Sequence, residues 1–255
     1  MSAPAASASV RRLGRLYVIP SLLGIVAPAA VLPQRTIDLA RGLTHFVVET
    51  PKLARQFLKT LAPDRPLQSL VMTELNEHTP AERAADLIAP ALRGDDLGLL
   101  SDAGCPGVAD PGALLVAAAH RAGVKVVPLV GPSAVLLALM AAGMNGQAFT
   151  FHGYLPAKAG PRDAALRALD QAVVRTGATQ IFIETPYRNG ALVSAVLSEC
   201  QPVLRLCVAV DLTLAAEQVV SRPIAAWRAA PSMDLAKRPA IFLLGRDYSS
   251  GALLM

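Results

Sequence analysis

Ser101-Asp102-Ala103-Gly104-Cys105-Pro106-Gly107-Val108-Ala109-Asp110-Pro111-Gly112 lies between an apolar run and a helix-start signal, and that placement defines the architecture. The preceding Leu97–Leu100 has the character of a short buried strand. Asp110-Pro111 then opens a helix, because Asp is a good N-cap and Pro is tolerated at the first helical position. Leu114, Leu115 and Ala118 carry the helix to Gly123, a natural C-terminal stop. Val124–Leu129 follows as the next strand. This order implies a parallel pair joined by a right-handed crossover. The loop therefore leaves the carboxyl end of a parallel strand, where open α/β sheets place ligands. Its small residues let a ligand approach the backbone. Asp102 and Asp110 supply acceptors, with Asp110 expected mainly to cap the helix. No Gly-Lys-Ser/Thr follows, and the G-x-G-x-x-G spacing is absent, so neither a P-loop nor a dinucleotide fingerprint is present.

The same alternation extends outward. Leu16–Ile19 is a β-like run ending at Pro20, and Thr44–Val48 is another ending at Glu49. Pro51–Thr60 has helical spacing in Leu53, Phe57 and Leu58. Beyond a break at Val130-Gly131-Pro132, Ser133–Ala142 is an apolar helix ending at Gly143. Helices at Pro161–Thr176 and Arg188–Cys200 then alternate with strands at Thr179–Glu184, Leu204–Val210, Gln218–Arg222 and Ala240–Leu244. The expected fold is α/β: a tail over residues 1–14, an N-terminal α/β domain over 15–130 and a C-terminal α/β domain over 131–248. A ligand cleft is expected between the two domains.

The 255 residues suit two such domains. A hydrophobic content of 53% and a mean hydropathy of +0.43 raise the question of a membrane. The longest uncharged runs, Leu16–Gln34 and Val126–Gln147, contain Pro20, Pro28 and Pro33 in the first and Pro128, Gly131 and Pro132 in the second. A spanning helix needs about 20 continuous apolar residues, and these prolines interrupt it. A soluble protein is expected. The Ala- and Ser-rich opening has a transit-peptide bias but no amphipathic repeat. Cys105, Cys200 and Cys207 form neither a disulfide framework nor a zinc pattern, so a cytoplasmic location and no metal are expected. The net charge of +5 is compatible with a polyanionic partner such as RNA, although the basic residues are scattered.

Four segments in order, Ser101–Gly112, Gly131-Pro132-Ser133-Ala134, Gly153-Tyr154-Leu155-Pro156-Ala157-Lys158 and Glu184-Thr185-Pro186-Tyr187-Arg188, resemble the tetrapyrrole (corrin/porphyrin) methylase superfamily. Within it the chain is most similar to the branch that 2′-O-methylates a cytidine ribose of small-subunit ribosomal RNA. The resemblance runs from Leu16 to Leu244. It implies S-adenosylmethionine as cofactor, bound in the cleft, and a homodimer. Carried onto the matching positions, Pro20 ends the first strand beside the cofactor. Asp102, Ala103 and Gly104 bind the methionine portion, with Val108 on the same loop. Ser133 and Ala134 line the cleft, while Thr185, Ala209-Val210 and Pro239-Ala240-Ile241 frame the adenosine. The chain departs from the branch in two places. Ile19-Pro20-Ser21-Leu22-Leu23-Gly24 stands where Thr-Pro-Ile-Gly-Asn-Leu is usual, and Glu49 is followed by Thr50-Pro51-Lys52 instead of Asp-Thr-Arg.

Methyl transfer from a sulfonium is an in-line displacement, so alignment supplies much of the acceleration. A hydroxyl acceptor additionally favours a base. The candidates for a catalytic or acceptor-site role, none tied to a particular step, are Glu49, Asn76, His78 and Glu217. Asn76-Glu77-His78 precedes Thr79-Pro80, with Glu82 three residues after Thr79, so a capping box is an equal alternative there. Lys158 and Arg162 are the candidates for contact with an RNA backbone. His45, His120 and His152 read as structural. The expected function is S-adenosylmethionine-dependent methylation of a ribosomal RNA ribose. The alternatives are methylation of a tetrapyrrole or other small acceptor, and a non-catalytic cofactor-binding factor in RNA assembly.

Overall fold

In the computed structural model, which describes residues 12–80, 82–229 and 233–246, Leu97-Gly98-Leu99-Leu100 is buried at all four positions. That is what the interior of a parallel sheet demands, since helices cover both faces. The chain divides after Pro132 into two units, with residues 23–25 belonging to the second. The first unit runs β1 (Arg15–Val18), α1 (Gln34–Gly42), β2 (His45–Val48), α2 (Pro51–Thr60), β3 (Val71–Glu74), α3 (Arg83–Leu87), α4 (Ala89–Arg93), β4 (Leu97–Leu100), α5 (Gly112–Arg121) and β5 (Lys125–Pro128). Its five strands are all parallel, in the order β3-β2-β4-β1-β5.

Alternate residues of these strands enter two cores. Tyr17, Ile19, Phe46, Val48 and Leu100 pack with Ile37 of α1 and Phe57 and Leu58 of α2. Leu16, Val47, Leu97 and Leu99 pack with Ala84 of α3, Ala91 of α4 and Leu115, Ala118 and Ala119 of α5. One expectation is corrected. β4 and β5 are parallel but not neighbours, because β1 lies between them and pairs with both. The local strand–helix–strand pattern sets direction only. The vacant position is filled by the strand that buries Leu16 and Tyr17, at 0% and 4% exposure.

The second unit runs α6 (Ala134–Ala142), β6 (Phe149–Tyr154), α7 (Ala159–Thr176), β7 (Thr179–Ile183), α8 (Asn189–Glu199), β8 (Arg205–Val210), β9 (Gln218–Pro223), α9 (Ile224–Ala229) and β10 (Ala240–Gly245). Its sheet has the order β6-β7-β10-β8-β9, with β6 parallel to β7 and the other pairs antiparallel. β10 inserts between β7 and β8, and Phe182 stacks on Phe242 with ring centroids 5.9 Å apart. One face is covered by Leu166, Leu169 and Val173 of α7 and Leu192 and Val196 of α8. Ala138, Leu139 and Ala142 of α6 pack on Ile181, Cys207, Ile241 and Leu243 at the other.

β3 and β6 have no counterpart among the expected strands. Both are sheet edges with mostly exposed side chains, so neither shows buried alternation in the sequence. Residues 1–11 of the expected tail and 247–248 of the expected C-terminal domain lie outside the described residues. Among the described residues no helix is long and apolar enough to cross a membrane.

Candidate functional site

At the end of β4 the chain turns through Ser101, whose buried hydroxyl lies 3.3 Å from the carbonyls of Ala103 and Gly104. Ser21, two residues past Ile19, fastens the same loop. Its N–H donates to Gly104 O at 2.9 Å and its hydroxyl to Ser101 O at 3.0 Å. Ser21 is itself 3% exposed, so water competes little for these bonds. Gly104 takes φ +71°, which costs an L-residue about 1–2 kcal/mol. Asp102, Ala103 and Val108 are exposed, while Gly104 is buried. Pro20 is buried too, and Gly131 is what allows it: a Cβ at 131 would lie 2.4 Å from the Pro20 ring.

The two acidic residues of the loop are each held. The Asp102 carboxylate accepts the Thr50 N–H on Oδ1 at 3.0 Å and the Thr50 hydroxyl on Oδ2 at 2.8 Å. In return the Asp102 N–H donates to Glu49 Oε2 at 3.1 Å. Asp110 accepts the Gly112 N–H at 2.7 Å and also the Gly107 N–H at 2.8 Å. It thereby closes the loop on itself, with Ala109 forced to φ +63°. The expected place of Asp110 as N-cap is corrected: Pro111 takes the cap position and α5 opens at Gly112, because the Asp110 carboxylate is used to close the loop. Burial pushes the Glu49 carboxyl above the usual carboxylate range. The Asp102 N–H opposes this, and the charges of Asp102, Asp110 and Glu77 add to it. Asp110 is raised likewise, first by burial, against its backbone N–H partners and with help from Asp102. Carboxylates raising one another in this way suit a cationic ligand.

Asn76 and His78 stand past β3. Asn76 Oδ1 accepts the His78 N–H at 2.9 Å, and the Asn76 N–H donates to the Thr79 hydroxyl at 3.0 Å. The capping box expected from Thr79 and Glu82 is corrected. α3 starts only at Arg83, with Glu82 at its cap position, and Thr79 serves the Asn76 turn. His78 is exposed, 3.6 Å from Glu77.

In the second unit, β7 and β8 end where β10 begins. Ile241 lies opposite Ile183 and Ala209, and Ala240 opposite Val210. The sheet thus gathers Ala209, Val210, Pro239, Ala240 and Ile241, with Thr185 two residues beyond Ile183. Ala209, Val210 and Ile241 are buried to 2% exposure or less, so they offer shape and strand-end backbone, not side chains. The buried Glu184 carboxylate accepts the Thr185 N–H and the Arg188 guanidinium, both at 2.6 Å. Burial acts to raise this carboxyl, but the Arg188 and Thr185 bonds outweigh it and hold it below the usual range. Ser133 accepts the Leu136 N–H at 3.5 Å and caps α6, which opens at Ala134.

Glu217 holds a turn. Its carboxylate accepts the Thr213 N–H at 2.7 Å, where Asp211 and Thr213 take φ +50° and +73°. Arg238 latches the same turn through Asp211 and the Ala216 carbonyl, both at 2.7 Å. Lys158 is exposed at the start of α7. Arg162 pairs with Asp163 at 3.2 Å, and its side chain is only 15% exposed.

Sequence reasoning passed over Ser21, Thr50, Asn189 and Arg238. Asn189 is fully buried, donates to Arg238 O at 2.8 Å and leaves its Oδ1 unpartnered. The partners of Ser21, Thr50 and Asn189 lie 80, 52 and 49 positions away, so no local spacing marks them. The available signal is position: Thr50 and Ser21 are small polar residues two and three places past a strand, and Asn189 opens α8.

Residues 30–226 match the family of Tetrapyrrole (Corrin/Porphyrin) Methylases. The chain belongs to that family and is by class a methyltransferase. A ribosomal RNA small subunit methyltransferase I from Xylella fastidiosa is 32% identical over 231 residues, 91% of this chain and 80% of the relative. The methyltransferase CobJ has a similar fold, with a TM-score of 0.61 at 21% identity over 95% of this chain and 97% of that one. So does a uroporphyrin-III C-methyltransferase from Thermus thermophilus complexed with S-adenosylhomocysteine, at a TM-score of 0.50 and 19% identity over 91% and 97% of the chains.

Proposed function

We propose that this protein transfers the methyl group of S-adenosylmethionine to a ribose 2′-hydroxyl of ribosomal RNA. The observation that carries the proposal is the likeness to a ribosomal RNA small subunit methyltransferase over 91% of the chain. The residues present fit the cofactor. Glu49, Asp102 and Asp110 match a ligand with sulfonium and ammonium charges, and the left-handed Gly104 keeps a side chain out of the loop's path. In the first unit, Asp102, Ala103 and Gly104 hold the methionine portion, with Val108 and Pro20 beside it. In the second, the strand ends at Thr185, Ala209, Val210, Pro239, Ala240 and Ile241 frame the adenosine, and Ser133 and Ala134 are lining residues. Bound there, the cofactor supplies an electrophilic methyl on sulfur.

The chain's own part is alignment and proton removal. Among the candidate catalytic residues we assign Glu49 as the base, its half-buried carboxyl being raised toward the range a base needs. It would take the 2′-hydroxyl proton as the O–C bond forms and the sulfur–methyl bond breaks, the electron pair staying on sulfur as a neutral thioether. Asn76 and Glu217 are engaged in holding turns, and His78 is fully on the surface. Lys158 meets the RNA backbone, with Arg162 a lesser contributor because Asp163 already pairs with it. A homodimer and a cytoplasmic location belong to the same proposal, supported by the family resemblance and by three unbridged cysteines.

The test is labelled methyl transfer from S-adenosylmethionine into RNA and metabolite extracts of cells lacking the protein. Label is expected at a ribose of small-subunit ribosomal RNA. Label in a porphyrin or corrin, with none in RNA, overturns the proposal.

A further inference from the structure

Thr50 stands at the N-cap position of α2, ahead of Pro51. A threonine there ordinarily accepts an N–H from the first helical turn, which stabilises the helix. Thr50 makes no such bond. Its hydroxyl donates instead to Asp102 Oδ2 at 2.8 Å, and its N–H donates to Oδ1 at 3.0 Å. One residue thus grips both oxygens of a carboxylate 52 positions away. Ser133 shows the ordinary alternative, since its hydroxyl does cap α6.

The grip is built on rigid structure. β2 and β4 are parallel neighbours in register, Val48 opposite Leu100, so Thr50 and Asp102 each follow two residues beyond a fixed ladder pair. Glu49 completes the exchange by accepting the Asp102 N–H. The Asp102 carboxylate shares the loop with the acidic groups of Glu49 and Asp110. Two charge-assisted bonds from Thr50 hold it there.

We propose that Thr50 is a positioning residue for cofactor recognition: it fixes the Asp102 carboxylate in the orientation that receives the ammonium end of S-adenosylmethionine. This rests on the cofactor assignment of the Ser101–Gly112 loop.

The test is isothermal titration of the full chain with S-adenosylmethionine, alongside steady-state kinetics and thermal melting. The variants are Thr50→Val, Thr50→Ala, Thr50→Ser, Asp102→Asn and the Thr50→Val/Asp102→Asn double. Thr50→Val is expected to weaken binding about tenfold, the scale of one lost bond to a charged group. KM for the cofactor should rise by the same factor, with kcat within about twofold. The melting temperature should fall by only a few degrees, the scale of one bond between solvent-exposed groups with no helix cap lost. Thr50→Ser should restore binding to within about twofold. In the double variant, Thr50→Val should add nothing to Asp102→Asn, because its effect passes through that carboxylate. Should Thr50→Val fold poorly, Thr50→Ala carries the same expectation without the branched methyl groups. Wild-type binding that survives Thr50→Val, or an additive double variant, or Thr50→Ser behaving like Thr50→Val, overturns the inference alone. A wild-type protein that binds no S-adenosylmethionine overturns the cofactor assignment and the inference together.

Discussion

Gly104 offers a graded perturbation whose outcome depends on a balance of two energies. Its φ of +71° costs alanine about 1–2 kcal/mol and a β-branched valine about 3 kcal/mol. Opposing a change of conformation are the two bonds to its carbonyl, from the Ser21 N–H at 2.9 Å and the Ser101 hydroxyl at 3.3 Å. At roughly 1 kcal/mol each, they hold the loop in place against strain of about 2 kcal/mol. Gly104→Ala falls below that limit, so the loop keeps its path and the strain appears as lost stability. A drop of about 2–8 °C in melting temperature is expected, with the Kd for S-adenosylmethionine within about twofold. Gly104→Val exceeds the limit. Stability loss then saturates near 2 kcal/mol, about 4–8 °C, and the loop releases. The remaining excess of about 1 kcal/mol depopulates the binding conformer, weakening the cofactor at least fivefold. Calorimetry and thermal melting on the two variants separate these terms. A folded Gly104→Val that binds like wild type would falsify the role given to the loop.

Glu49 must be ionised to accept a proton, and burial, then its acidic neighbours, raise its pKa. The rate should therefore fall on the acid side through a value above the ordinary carboxylate range. Glu49→Gln should lower kcat by about a hundredfold or more and abolish that limb; an acid limb surviving in Glu49→Gln assigns the base elsewhere. Lys158→Ala should weaken RNA binding uniformly across sequences and reduce its salt slope by about 1. Arg162→Ala should do less, given its pairing with Asp163, and cofactor affinity should not change in either variant. Burial pushes the Cys200 and Cys207 thiols up to about 12, whereas Cys105 is only half-buried. Iodoacetamide at pH 8 should then modify Cys105 first, and S-adenosylmethionine should slow the reaction. Peptide mass spectrometry showing equal labelling of all three cysteines refutes this.

Local chemistry was legible wherever a short segment imposes its own geometry. Pro111 and Gly123 bracket α5, Pro111 one place earlier in the helix frame than expected, because helix starts and left-handed termination need only neighbouring residues. Leu97–Leu100 and Leu204–Val210 read as strands because apolar runs of that length are buried in a sheet interior. The Ser101–Gly112 loop is likewise contiguous, and its small residues and Asp pair are what the proposed ligand role was read from. The family resemblance, too, lives in those contiguous segments.

What remained hidden depends on which strand ends become neighbours, and no contiguous segment contains that information. A parallel strand's own pattern is compatible with several places in a sheet, so β1 could be placed between β4 and β5 only once all the strands competed for burial. From that order follows the contact of Thr50 with Asp102, because β2 and β4 pair directly. Thr50-Pro51 in sequence announces a helix start, and it is one, yet the hydroxyl that should cap α2 serves a carboxylate on another strand. Ser21 and Arg238 likewise draw their partners from across a sheet. Motifs determined the class of the protein and the loop proposed for its cofactor, because those are short-range matters. The orientation of the acidic groups within that loop was decided by tertiary structure, since a hydrogen bond depends on distance in space and is indifferent to distance along the chain.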